Sequence, residues 1–162
     1  MMLMELMPLI TLFFLAFPEG MLTSAVGLTL INFRPHWQGA VRVGITHMLA
    51  AFFLRRLLPP GIHTLVITIV LVGVIMYSYR LSFKKSFAAT ILGLVFLVLG
   101  ESITMPLFTH AFSVTMQDIL ADPWLRVAAS LPTQLFLLLV LLLAYRLRKF
   151  HRQPASHWPD RN

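Results

Sequence analysis

Long apolar runs broken by short polar clusters dominate the chain from end to end. A helix that crosses a bilayer core of about 30 Å needs roughly 20 predominantly apolar residues. Stretches free of Asp, Glu, Lys and Arg approach that length five times. The first lies between Glu5 and Arg34 and is interrupted only by Glu19. The second covers residues 43–54 and extends back to Gln38 if Arg42 snorkels. The third runs over 57–79, the fourth over 86–108 with Glu101 inside it, and the fifth over 127–145. The pattern predicts an all-α integral membrane protein, a bundle of about five transmembrane helices. Pro18-Glu19-Gly20 leaves open whether the first helix is continuous or split into a hairpin of two short halves.

The punctuation between the runs supports this division. Arg34-Pro35-His36-Trp37 ends the first helix, with proline as the stop and tryptophan suited to a membrane interface. Pro59-Pro60-Gly61 makes a tight connection between the second and third helices. Thr115-x-x-Asp118 has the form of a capping box and opens a short helix. Met116, Ile119 and Leu120 suit that short helix to a membrane surface. Asp122-Pro123-Trp124 reads as N-cap, first-turn proline and interface anchor for the last helix, which Pro132 can kink. The start of the chain lacks the basic n-region and small-residue cleavage site of a signal peptide, so it is expected to be retained. The organisation expected is a polytopic membrane domain over 1–149 and a basic, polar cytoplasmic tail over 150–162, disordered beyond Pro154.

Composition changes the picture by exclusion. The chain is 58% hydrophobic and 12% charged, against about 25% charged in soluble domains. That is too little charge to coat a soluble globule. There is no cysteine, which removes disulfides and thiolate metal sites. The net charge of +7 falls between the apolar runs, where it orients a membrane protein and implies no nucleic acid. With the N-terminus outside and the C-terminus inside, ten basic residues lie inside and three outside, namely Arg55, Arg56 and Arg126. The positive-inside rule favours that orientation.

Candidate chemistry comes from polar residues where lipid is expected. An ionisable group within a span costs about 2.5–3.5 kcal/mol on insertion scales, so each needs a reason. Glu19, His47, His63 and Glu101 all lie within predicted spans. Two readings are open. They form a polar site for a ligand or a proton, or they are neutral, hydrogen-bonded packing residues that fix helix register. Arg56 and His63 flank the turn between the second and third helices. They either present an anion pocket to the outside or belong to a plain turn with snorkelling arginines. Ala89, Gly93 and Gly100, with Gly39 and Gly44, are small residues that pack helices within the chain or form a dimer face. No HExxH, CxxC, GxSxG or Walker A pattern occurs, and the histidines lack metal-ligand spacing. No enzyme, metal or cofactor is expected.

Several of these residues form a pattern similar to a known family. Glu19 in the first helix, the turn Arg56-Leu57-Leu58-Pro59-Pro60-Gly61-Ile62-His63-Thr64, and Gly100-Glu101-Ser102 in the fourth span carry the likeness. Gln117-Asp118-Ile119-Leu120 and Leu131-Pro132-Thr133-Gln134 extend it. Together they resemble the membrane-embedded sensor region of bacterial histidine kinases of the GHKL type, which include peptide-pheromone receptors. Such kinases continue into a dimerisation and ATP-binding domain. This sequence carries no phosphoacceptor region and no nucleotide-binding motif. The resemblance therefore implies a stand-alone sensor-like protein of a bacterial cytoplasmic membrane, without kinase chemistry. It would bind a peptide or lipid ligand, or pair with itself or a membrane histidine kinase. Glu19, Arg56, His63 and Glu101 are its expected site. The alternative is a substrate-binding membrane subunit of a vitamin-type transporter, with Glu101, His47 and Arg42 at its site.

Overall fold

The computed structural model describes residues 11–59 and 62–150, with backbone alone at 55, 56 and 148–150. All regular elements among them are helical. A π-helical turn, Leu12–Ala16, leads into α1 (Phe17–Leu30). It is followed by α2 (Trp37–Leu57), α3 (Ile62–Tyr79), α4 (Phe83–Phe112), α5 (Met116–Ala121) and α6 (Pro123–Phe150). Of the expected tail, the backbone of Phe150 closes α6, and the rest lies outside the described residues.

Pro18-Glu19-Gly20 does not split the first helix. Pro18 lies inside a continuous helical run, and the chain passes through it without a break. The turn before it widens to π geometry, with the Phe17 N–H reaching back to the Leu12 carbonyl. The helix count also needs adjustment. Four segments are long and apolar enough to cross a membrane: Leu12–Leu30, Ile62–Tyr79, Phe83–Phe112 and Pro123–Leu147. That is compatible with a multi-pass membrane protein. The expected fifth, α2, is 21 residues long. Gln38, Arg42 and His47 dilute its apolar character, and it is absent from the four. Pro106 and Pro132 lie inside α4 and α6, which continue through them.

Helix α1 is the hub of the bundle. It packs against α2, α4 and α6, while α3 packs on α2 and α4, and α5 on α6. Residues 23–29 of α1 are all buried, as expected of a helix with neighbours on every side. The interior is polar for its depth, with Thr23, Ser24, Thr29, Ser86, Thr90 and Thr104 buried. The outer surface carries Ile69, Val98, Leu107, Leu135 and Leu139, all more than half exposed. Small polar residues inside and large apolar ones outside suit helices packed in lipid.

The small residues pack helices within this chain. A Cβ on Gly27 would run into the Ala89 carbonyl, and one on Gly93 into the Thr23 carbonyl, so α1 and α4 touch backbone to backbone. At the end of the bundle formed by the α1–α2 and α3–α4 turns, the Tyr79 ring packs edge-on against Phe33 and His36. Ring centroids there are 5.6 and 4.7 Å apart. At the opposite end, the capping box forms as its sequence indicates. Asp122 Oδ1 accepts the Trp124 N–H at 2.8 Å and so opens α6. Ile119 turns inward against Phe108 and Ala129, whereas Met116 and Leu120 face outward.

Candidate functional site

Three helices bring polar side chains to one place near the α5 end of the bundle. α1 contributes Glu19 from its first turn. α4 contributes Glu101, and α6 contributes Arg126, Ser130, Thr133 and Gln134. Together they line a cavity of about 70 Å³, with Leu97 and Leu137 among its apolar walls. A volume of this size holds a few waters or one small polar group.

A fourth helix approaches Glu19 from the other side. His47 on α2 places Nε2 3.9 Å from Glu19 Oε1, with side-chain exposures of 7% and 17%. The gap is beyond direct hydrogen bonding. Gly20 makes the approach possible, since a Cβ there would lie 2.6 Å from the His47 Cβ.

Arg126 joins the cavity to the short surface helix. Its guanidinium Nη2 donates to the Leu120 carbonyl in the last turn of α5. Its Nε is buried without a hydrogen-bond partner. The guanidinium thus supplies positive charge to a cavity that holds two carboxyl groups, while tethering α5 above it.

Hydrogen bonds between helices fix the walls. Thr104 of α4 and Thr133 of α6 share a buried bond of 2.6 Å. Gln134 Nε2 donates to the Phe14 carbonyl at 3.0 Å. In a regular α-helix that carbonyl would accept from residue 18, but Pro18 has no N–H to give. The proline therefore frees a backbone acceptor, and α6 supplies the donor.

Of the residues expected at the site, the structure brings Glu19 and Glu101 together. Glu101 is exposed at the cavity edge. His63 stays apart. It is half-buried at the start of α3, with Nδ1 3.4 Å from the Pro59 carbonyl and Nε2 3.4 Å from the Thr64 hydroxyl. The Arg56 side chain lies outside the described residues. Arg126, Ser130, Thr133 and Gln134 are additions. Their signal was present, because polar positions at 126, 130, 133 and 134 recur at helical spacing along one face of an otherwise apolar run.

No group of three or more metal-ligating acids or histidines occurs among the described residues. A second cavity, about 500 Å³, is apolar and lies between the π-helical turn and α2, walled by Phe13, Phe14, Phe52 and Phe53. The polar cavity has the chemistry to hold a proton, ordered water or a small charged group between carboxyl, guanidinium and amide. No protein-family model, no curated protein and no solved structure matches this chain.

Proposed function

We propose that this chain is a sensor-like multi-pass protein of a bacterial cytoplasmic membrane, without kinase chemistry. It takes a small charged ligand, or a charged group of a larger one, at the cavity of Glu19, Glu101 and Arg126. It passes that state to a membrane signalling partner or to a second copy of itself. The observation that carries this reading is the meeting of two carboxyl groups and a guanidinium from three different helices in one cavity. Ionisable groups inside a membrane bundle are costly and most often serve a ligand, an ion or a proton. A charge bound there acts on α1, α4 and α6 at once. Through Arg126 it also acts on α5.

The transporter reading gains less support. A vitamin-sized molecule fills a pocket of about 300 Å³ or more; the polar cavity is about 70 Å³, and the apolar one of about 500 Å³ is lined by none of Glu101, His47 and Arg42. Arg42, expected at that site, is exposed on α2 and does not line the cavity.

Gentle extraction from native membranes, capture through the C-terminal tail and mass spectrometry of everything retained test the proposal. A histidine kinase or a second copy of the chain is the expected companion. An ATPase module or a stoichiometric vitamin-sized molecule would overturn the sensor reading. The absence of cysteine makes the proposed orientation testable as well. Gln117→Cys should label from outside and Asn162→Cys only after permeabilisation, and the reverse order would invert the topology.

A further inference from the structure

Charge is divided between the two ends of the bundle. The described acids Glu19, Glu101, Asp118 and Asp122 lie on the half that carries the cavity and α5. The opposite end, formed by the α1–α2 and α3–α4 turns, exposes Arg34, Arg80, Lys84 and Lys85. No described acid lies there to offset them. The approach of His47 to Glu19, at 3.9 Å, lies on the other half.

Packing, and not chain order, makes these cations a single patch. Tyr79 lies between the two turns, with its ring against Phe33 and His36 and its hydroxyl 3.5 Å from the His36 carbonyl. Arg34 follows Phe33 and Arg80 follows Tyr79, so the buried aromatic contact holds their turns side by side. Lys84 and Lys85 come one turn later on α4. Around the patch, Trp37, Tyr77 and Phe83 are 74%, 82% and 60% exposed. Aromatic side chains at the rim of a basic surface suit the headgroup zone of a bilayer. Arg80 is also held at φ 51°, a left-handed conformation in which glycine is the unstrained residue.

We infer that this end of the bundle is a binding surface for anionic phospholipids, whose phosphodiester headgroups lie against Arg34, Arg80, Lys84 and Lys85. The cationic cluster supplies the charge complementarity, and Trp37, Tyr77 and Phe83 anchor in the acyl boundary beside it. The inference is independent of the ligand proposed for the cavity at the other end.

Native mass spectrometry of the full chain in mild detergent tests it. The probes are phosphatidylglycerol, phosphatidylcholine of matched chains, and inorganic phosphate. Preferential retention of phosphatidylglycerol is expected, weakened about fivefold for each basic residue neutralised. Arg80→Gly removes the charge and relieves the backbone, so its melting temperature without lipid should hold or rise while the preference for phosphatidylglycerol falls. The double variant Lys84→Gln/Lys85→Gln should lose that preference more completely. Equal retention of the two lipids would overturn the inference, as would an undiminished preference in both variants. Retention of inorganic phosphate as strong as that of phosphatidylglycerol would assign the patch to soluble anions and overturn it too.

Discussion

The contact between α1 and α4 has two ends that differ in kind. At one end, Gly27 and Gly93 remove every side-chain atom that would hold the helices apart, and backbone meets backbone at Ala89 and Thr23. About two turns away, the same helices carry Glu19 and Glu101 and leave a cavity that α6 only partly fills. Small residues at the closed end give dispersion contacts over a continuous surface. Larger polar side chains at the open end interrupt such contact and line the cavity. The closed end is thus the tightly packed part of the contact, and the open end is the part with space.

The largest expected effect comes from forcing the closed end apart. Gly93→Leu should destabilise the protein by about 3 kcal/mol, because the Thr23 backbone cannot move aside as a flexible side chain would. Thermal unfolding in detergent measures it. Gly73 provides the contrast, since a Cβ there meets nothing within 4 Å. Gly73→Ala should be neutral or stabilise α3 by about 0.5–1 kcal/mol. Equal losses from the two substitutions would show that the closed end has no special role.

At the open end, Arg126→Gln should cost about 1 kcal/mol, because the charged bond to the Leu120 carbonyl is exposed to solvent. The double variant Glu101→Gln/Arg126→Gln should cost less than the two single changes summed, because it removes opposite charges together. Strict additivity in the unfolding data would mean that the two groups do not share a field. Thr104→Val tests the wall between the ends. It should cost about 1 kcal/mol, and Thr104→Val/Thr133→Val should recover much of the loss, since no buried hydroxyl is then left alone.

The smallest effect is a pH dependence outside the spans. Asp118 accepts hydrogen bonds from the Thr115 hydroxyl and backbone N–H, which lower its carboxyl pKa below the ordinary 3.8. Its contribution to the α5 cap is therefore present above pH 3.8 and is lost as the pH falls through the lowered value. The carboxyl carbon shift of Asp118 should titrate below that of a free aspartate, and Thr115→Ala should move its midpoint back up.

Much of the fold was legible because its signals are local. The apolar runs set the helices, Thr115 and Asp118 set the box, and Asp122 with Pro123 starts α6. The continuity of the first helix was less legible. Proline usually breaks a helix interior, and the sequence does not show the widened π turn and the outside donor, Gln134, that accompany Pro18 here. The site was legible in part. A carboxylate inside an apolar run is conspicuous wherever it stands, so Glu19 and Glu101 could be singled out. Arg126 read as one more basic residue near a helix start, although the polar face that follows it on α6 could have been recognised.

The sequence by itself determined the class of this protein, its helices and their caps, because hydrophobic period, proline and capping act over a few residues. Only the tertiary structure decided which polar groups meet. Glu19 lies 82 positions from Glu101 and 107 from Arg126 along the chain. Their meeting depends on the order in which helices pack, and that order is set by complementary shapes such as Gly27 against Ala89 and Gly20 against His47. The same holds for the basic end, where one buried ring, Tyr79, joins two turns that the sequence keeps apart. Contacts of that kind come from surfaces fitting in three dimensions, which no local pattern of residues encodes.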